Sequence, residues 1–393
     1  MPGWEFIDNK EKQAINKLFV FKKKGIQKPF FKSGAKVKKF EKEFSKYVGA
    51  KYSVCVSSGT AAIKVALIAA GVKNGDEVIT QSFTFIAVVE AILAVGAKPI
   101  ITEIDETLNM CPIDLEKKIT KKTKAIIPVH MLGVSAEVDA IKKIAKKNKI
   151  LVIDDNCEAL GAKWKKQTLG NQFDMCAWSF DNGKTMTTGE GGMVTTNNKN
   201  FYELCREYRD HGHENNPKYT KGKDTHRIYG FNYRVSEIVG AIGLVQLKKM
   251  PLIINKNKKY YEIYEKILKQ YKDIKIRKIP KQNTPLKDCI IFNFKNTKIA
   301  ELFLSEITKL KIPTKNIPDA LEWHFTKYWD HIFKDYGINK KKLFNMFPIS
   351  SQHLEKSIAI FIYASEDIKI VQKKAICIKK ILDNFKSQKY LFN

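Results

Sequence analysis

Short apolar runs alternate with longer segments of helical spacing along the first half of the chain. Strands are predicted at 52–56, 77–80, 98–105, 125–130, 150–155 and 176–180. Helices are predicted between them at 36–48, 57–71, 85–96, 112–121 and 136–148. Strands that alternate with helices in this way indicate a mainly parallel sheet covered by helices on both faces, an α/β fold. Ligands of such sheets bind beyond the carboxyl ends of the strands, so a site is expected in the loops after 56, 80, 130 and 155.

The pattern changes near residue 250. Lysine-rich helices are predicted at 256–272, 298–311 and 365–388, with a short strand in DCIIFNF at 288–294. A chain of 393 residues with 44% hydrophobic content can bury a large and a small core. The sequence therefore predicts a large domain at 1–250 and a smaller C-terminal α+β domain at 251–393.

Two function classes are disfavoured by composition. No apolar run approaches the roughly 20 residues that a membrane span needs, and the first residues carry charges where a signal peptide has its apolar stretch, so a cytoplasmic protein is expected. The seven cysteines are scattered and form no CxxC motif. This distribution argues against a disulfide framework and against a zinc site.

The formal net charge of +29 raises the question of nucleic-acid binding. Lysine is spread along the whole length rather than gathered into one stripe, which argues against it. Only five of the 70 basic residues are arginine, and four of these lie between 206 and 234. Arginine donates in a bidentate manner, so this arginine window indicates anion recognition; structural ion pairs explain it equally well.

Three segments carry candidate chemistry. SSGTAA at 57–62 opens a helix, where free amides and the helix dipole favour a phosphate; a helix cap without ligand is the alternative. The apolar strand at 150–155 ends in two carboxylates, and Asp155 could form a salt bridge with a protonated pyridine nitrogen. The alternative is that the two aspartates cap a helix or bind a metal. The loop at 181–192 is punctuated by glycine and holds Lys184, a setting that suits a partly desolvated Schiff-base lysine better than a surface hairpin.

Taken in order, these segments resemble the DegT/DnrJ/EryC1/StrS family of sugar aminotransferases, which have the fold of pyridoxal-phosphate (PLP) enzymes of type I. The motifs that carry the resemblance are SSGTAA, SFTFIAVVEAI, PVHMLG, VIDDNCEALGA, SFDNGKTMTTGEGGM and GFNYRVSEIVGAIGLVQLKKM. The resemblance is strong over 25–250 and loose beyond.

The resemblance implies a role for particular residues. Lys184 would bind PLP covalently and Asp155 would pair with its ring nitrogen. The remaining cofactor contacts implied are Gly59, Thr60, Ser179, Phe85 against the ring, and Asn232 from the neighbouring subunit of a homodimer. Glu158 occupies a position where the family usually has a glutamine that bonds the phenolic oxygen of the cofactor. A carboxylate would repel that oxygen, so Glu158 must be protonated, turned away or bonded to substrate.

The implied reaction moves an amino group from glutamate to a keto-sugar, with pyridoxamine phosphate as the intermediate form of the cofactor. Family members that dehydrate sugars carry histidine at the position of Lys184, so transamination is favoured over dehydration. A non-catalytic protein with the same fold is a further alternative. The acceptor is either a nucleotide-linked 4-keto-hexose or an 8-keto octulosonate of lipopolysaccharide.

Substrate contacts are predicted at Arg209, His211, Arg234 and His324. Both acceptors carry an anionic group that suits a bidentate arginine. His211 and His213 form an HxH pair without a carboxylate frame, which favours a polar lining over a metal site.

Overall fold

The computed structural model describes residues 3–19, 21–22, 25–26, 34–220 and 223–387. Within these ranges the strands are β1 (Phe21–Lys22), β2 (Gly25–Ile26), β3 (Tyr52–Val56), β4 (Glu77–Gln81), β5 (Lys98–Thr102), β6 (Thr123–Ile127), β7 (Leu151–Asp155), β8 (Lys163–Trp164), β9 (Gln167–Thr168), β10 (Met175–Ser179), β11 (Gly192–Thr196), β12 (Lys275–Ile276), β13 (Asn283–Thr284), β14 (Cys289–Asn293) and β15 (Ser357–Phe361). The order along the large sheet is β3-β11-β10-β7-β6-β4-β5.

The helices in the same ranges are α1 (Asn9–Asn16), α2 (Ala35–Val48), α3 (Gly59–Ala69), α4 (Ala87–Leu93), α5 (Pro112–Lys118), α6 (Val138–Asn148), α7 (Lys199–Tyr208), α8 (Glu237–Leu268), α9 (Thr297–Lys309), α10 (Leu321–His324), α11 (Asp330–Phe333), α12 (Lys340–Phe344), α13 (Pro348–Leu354) and α14 (Ile368–Ser387). Short 3₁₀ helices lie at Gly3–Phe6, Met131–Gly133, Thr326–Tyr328 and Lys334–Tyr336. Among the helices of this described part, none has the length and apolar character needed to cross a membrane.

The seven-stranded sheet confirms the predicted mainly parallel architecture. Strands β10, β7, β6, β4 and β5 pair in parallel, whereas β11 runs antiparallel to both of its neighbours. Because β3 and β10 flank β11, their carboxyl ends lie at the same edge as those of β7 and β4. Helix α3, which follows β3, contacts β10 and β11. The loops that carry the candidate chemistry are therefore brought to one edge of the sheet.

Several predicted boundaries were wrong by a few residues. The strand predicted at 125–130 ends at Ile127 because Pro128, which has no amide hydrogen, cannot donate to the ladder. The strand predicted at 98–105 ends at Thr102, and Ile104 pairs instead with Met110. The helix predicted at 365–388 begins at Ile368, and residue 388 lies outside the described residues.

The largest correction concerns α8, which was predicted to begin at 256 and begins at Glu237. It contains Pro251, which removes one helix hydrogen bond and costs about 3 kcal/mol. Met250, Ile253 and Tyr260 are buried along the same helix, and burying such side chains contributes about 1.5–3 kcal/mol each. Tertiary burial thus outweighs the local cost and keeps the helix continuous.

Among the described residues, two apolar clusters are the largest. One lies around the large sheet, and the other joins the sheet of β12, β14 and β15 to α9, α14 and the second half of α8. Phe325, Trp329, Phe333 and Phe347 follow position 250 in the chain but are buried in the core of the large sheet. The predicted division at residue 250 falls inside α8, and a later segment of the chain packs on the large sheet. The domain boundary therefore stays a prediction.

Candidate active site

The amino end of α3 forms one wall of a cavity at the carboxyl edge of the sheet. Ser58 caps the helix, its hydroxyl accepting a hydrogen bond from the Ala61 amide at 3.1 Å. A Cβ on Gly59 would lie 2.8 Å from Ser179 Cβ, so glycine permits α3 to approach the end of β10. The first amides of a helix have no carbonyl partner within it and attract anions. This wall is therefore suited to a phosphate group, with the Thr60 and Ser179 hydroxyls beside it.

Asp155 ends β7 on the floor of the same cavity and is 4% exposed. Its Oδ1 accepts a hydrogen bond from the Cys157 amide at 2.9 Å. Burial raises the pKa of Asp155, and the Cys157 hydrogen bond together with the charge of Lys184 only partly offsets this. A buried carboxylate in such a place favours a cationic partner, which would restore its charged form.

Lys184 lies in the turn that follows Phe180, and its side chain is 19% exposed. The turn is held from both sides: the Lys184 amide donates to the Asp181 carbonyl at 3.1 Å, and the Thr188 amide donates to the Phe180 carbonyl at 3.0 Å. The amine is 4.0 Å from Oε1 of Glu158. The turn therefore directs a single amine into a largely water-excluded space, as covalent catalysis by lysine requires.

Glu158 is held as an ionised acceptor. Its Oε2 accepts from the Leu132 amide at 3.0 Å, and its Oε1 accepts from the Asn316 side chain at 3.3 Å. Burial raises the pKa of Glu158, but the charges of Lys184, Lys315 and His324 outweigh that effect and lower it to about 2. Of the three alternatives predicted for Glu158, protonation is therefore disfavoured by the residues that surround it in this chain.

A segment distant in sequence completes the cavity and was missed by the sequence analysis. It brings Lys315, Asn316 and Phe361 beside Glu158 and His324. Lys315 is 4% exposed and pairs with Asp288, which is buried. Lysine is frequent throughout the chain, so nothing in the sequence around Lys315 distinguishes it as a site residue.

The cavity has a volume of about 400 Å³ and gathers most of the predicted site. The predicted residues that line it are Gly59, Thr60, Phe85, Asp155, Glu158, Ser179, Lys184 and His324. Phe85 is partly exposed there, with its ring centroid 5.3 Å from that of His324.

The arginine window forms a different cavity of about 640 Å³, lined by Arg209, His211 and Arg234 among others. Arg209 is buried and donates to Glu41 at 2.6 Å and to the Cys55 carbonyl at 2.8 Å. Arg234 pairs with Asp210. These residues do not line the cavity of Lys184, and their contact with substrate stays a prediction.

Asn232 is exposed and does not line the cavity of Lys184. It pairs through its backbone with Asp210 and is flanked by exposed aromatic side chains, of which Tyr229 is 72% exposed. An exposed position is compatible with the prediction that it serves the site of a second subunit.

Comparison with known proteins adds one family match, one relative in sequence and two solved structures. The model of a family described as the DegT/DnrJ/EryC1/StrS aminotransferase family matches residues 14–335. The chain is 38% identical over 262 residues to GDP-perosamine synthase from Escherichia coli O157:H7, covering 66% of this chain and 69% of that protein. The X-ray structure of an aminotransferase from Psychrobacter cryohalolentis superimposes with a TM-score of 0.85 at 26% identity, covering 96% of this chain and 98% of that one. The PLP form of a putative sugar aminotransferase, Spr1654 from Streptococcus pneumoniae, shares the fold with a TM-score of 0.82 at 22% identity, covering 96% and 97%.

Proposed function

The chain belongs to the DegT/DnrJ/EryC1/StrS aminotransferase family, and from that premise we propose that it transfers an amino group from glutamate to a nucleotide-linked keto-sugar, with PLP held on Lys184. The product would enter the synthesis of a surface polysaccharide. The observation that carries the proposal is that Lys184, Asp155 and the amino end of α3 line one cavity. The similarity to GDP-perosamine synthase supports a nucleotide-linked acceptor.

The donor groups of the cavity fit the cofactor that this family uses. The α3 amides with Thr60 and Ser179 suit its phosphate, and the Lys184 amine suits its aldehyde. Asp155 suits its ring nitrogen, because a buried carboxylate with a raised pKa is stabilised by a nearby cation. The cavity thus offers a matching group for the phosphate, the aldehyde and the ring nitrogen of PLP.

Each of these residues has a task in the proposed reaction. When bound, PLP supplies an electron sink that stabilises negative charge at the reacting carbon. Asp155 keeps the ring nitrogen protonated, which maintains that sink. Lys184 would hold the cofactor, and its amine, when free, would accept the proton from the α-carbon of the amino donor. Asp155 and Glu158 are buried, so this side of the cavity would hold the reacting groups away from water.

A screen of the two half-reactions tests the proposal. Glutamate should convert the yellow protein to its pyridoxamine form, and the true acceptor should restore the near-violet absorbance. A GDP-linked 4-keto-6-deoxyhexose is expected to restore it, and the 8-keto octulosonate is the alternative acceptor to include. If glutamate changes nothing, the proposed donor is wrong; if neither keto-sugar restores the band, the proposed acceptor class is wrong.

We predict that Asn232 acts in the site of the partner in a homodimer. Asn232→Ala should weaken cofactor retention, and Lys184→Ala should be inactive. Equal mixing of the two variants with subunit exchange should make half of the dimers mixed, each with one intact site of two, so activity should rise to about a quarter of the wild-type level. Exchange is verified with differently tagged subunits. Activity that does not rise after verified exchange would place both residues in one subunit or remove Asn232 from the site.

Different outcomes are expected for the two arginines. Arg234→Lys replaces a bidentate donor with a point charge, so the keto-sugar half-reaction should slow on the order of ten- to hundred-fold while the glutamate half-reaction is little changed. Arg209→Lys should instead lower the free energy of unfolding by about 1–3 kcal/mol, because Arg209 joins Glu41 to the Cys55 carbonyl. Single-turnover kinetics and thermal unfolding of both variants make the comparison. Equal losses in both half-reactions for Arg234→Lys would indicate a shared carboxylate anchor instead.

A further inference from the structure

We propose that the N-terminal clasp, defined as residues 3–16, is a positioning element that fixes the main chain at Lys184. The clasp consists of the 3₁₀ helix Gly3–Phe6 and helix α1. The inference rests on the proposed function, since the position of Lys184 matters to catalysis only if this residue holds the cofactor.

The contact between the clasp and the lysine is made through main-chain atoms. The Gly3 amide donates a hydrogen bond to the Lys184 carbonyl at 2.7 Å. A Cβ on Gly3 would lie 2.6 Å from the Thr185 carbonyl oxygen and 2.9 Å from that of Lys184. Neither atom belongs to a flexible side chain that could move aside. Residue 3 must therefore lack a side chain for the two segments to meet as they do.

A buried ion pair anchors the clasp to α8. The carboxylate of Glu11 is buried, lies 2.7 Å from the amine of Lys249 and accepts a hydrogen bond from the Gln246 side chain at 2.8 Å. The same lysine also donates to the Phe6 carbonyl. Because an ion pair removed from water is sensitive to the loss of either partner, this anchor holds the clasp in one place.

A second attachment reaches the later part of the chain. The Ser365 hydroxyl donates to Glu5, and the Lys256 amine lies 5.9 Å from the centroid of the Phe6 ring. The clasp thus contacts the Lys184 turn, α8 and the segment before α14.

The consequence for Lys184 follows from geometry. The amide of this residue is bonded to Asp181 and its carbonyl to Gly3, so both flanking peptide groups are oriented. The direction of the side chain depends on these two peptide groups. A displacement of about 1 Å at a reacting group can cost on the order of a hundred-fold in rate. Loss of the Gly3 contact should therefore slow covalent attachment of PLP more than it weakens non-covalent binding.

Gly3→Ala is the direct test, with Ile7→Ala as a matched control in the same segment, since Ile7 is 47% exposed. In the apo-protein, hydrogen exchange of residues 181–191 should accelerate in Gly3→Ala and stay unchanged in Ile7→Ala. After PLP is added, borohydride trapping on Lys184 should slow on the order of ten- to hundred-fold in Gly3→Ala, whereas retention of the phosphate-bound cofactor stays close to that of the wild type. A merely destabilised protein would show faster exchange throughout the chain.

Lys249→Met provides a second test that adds no side chain at the contact. It should release the anchor and reproduce both effects in part. If wild-type protein traps PLP on Lys184 and both variants trap it equally fast, the clasp has no positioning role. If wild-type protein itself traps no cofactor there, the proposed function fails, and hydrogen exchange of residues 181–191 still reports on the clasp. Unchanged exchange in both variants would then overturn the inference as well.

Discussion

Lys184→Ala should yield a folded protein that traps no cofactor on borohydride reduction and loses both half-reactions by at least about 10³-fold. The same amine is proposed both to hold PLP and to move the proton at the reacting carbon, so no other group of the cavity can replace it. Lys315, the other lysine that lines the cavity, is paired with buried Asp288. Absorbance, peptide mapping after reduction and single-turnover kinetics measure the three losses.

Two further variants separate the chemistry from the charge. Lys184→Arg keeps a positive charge beside Glu158 but offers no primary amine, so it should be as inactive as alanine while retaining more stability. Lys199→Ala removes an exposed lysine and should behave as the wild type. Cofactor recovered on another lysine of the wild-type protein would contradict the assignment of Lys184.

Asp155→Asn should slow both half-reactions on the order of 10²- to 10³-fold, because the preorganised charge opposite the ring nitrogen is lost. The Cys157 amide can still donate to the asparagine oxygen, so the local geometry should persist. The effect should therefore appear in rate and in absorbance rather than in folding.

Asp155→Asn should stabilise the apo-protein at neutral pH, although it slows the reaction. Burial raises the pKa of Asp155 in the folded protein above 3.8, its usual value in the unfolded chain. The stability that the protonated carboxyl group contributes is therefore fully present below pH 3.8 and is lost as the pH rises through the pKa of the folded state. Asparagine cannot ionise, so Asp155→Asn should be more stable than wild type at neutral pH, with a difference that shrinks toward pH 4. Thermal unfolding between pH 4 and 7 measures this.

Asp154→Asn is the matched control. Asp154 precedes Asp155 on the same strand, is buried on the opposite face and contacts His130 and Asn156. Its replacement should cost stability and leave the chemical steps of the folded protein largely intact. A larger kinetic loss for Asp154→Asn than for Asp155→Asn would reverse the two assignments.

The parallel sheet and the residues at its carboxyl edge could be predicted because their signals are local. Asp155 ends an apolar strand, Lys184 stands in a turn marked by glycine, and Gly59 opens a helix. Each of these positions is set by neighbours within a few residues, and parallel strands bring their carboxyl ends to one edge of the sheet. The order of such segments was therefore enough to expect them in one cavity.

The charge state of Glu158 could not be predicted in this way. Its identity was known, but its ionisation depends on Lys184, Lys315 and His324, which are 26, 157 and 166 positions away in the chain. Arg209 shows the same limit in reverse. Its place among clustered arginines predicted a substrate contact, which stays a prediction, and no spacing in the sequence reveals its ion pair with Glu41.

The sequence by itself determined the alternation of strands and helices, the cavity edge and the candidate residues Lys184 and Asp155, because periodicity and turn chemistry act over a few residues. Only the tertiary structure decided that α8 continues through Pro251, that Lys315 and Asn316 border the cavity and that Gly3 contacts Lys184. These features depend on which distant segments are buried against one another. Burial is a property of the whole packed chain, and residue spacing does not encode it.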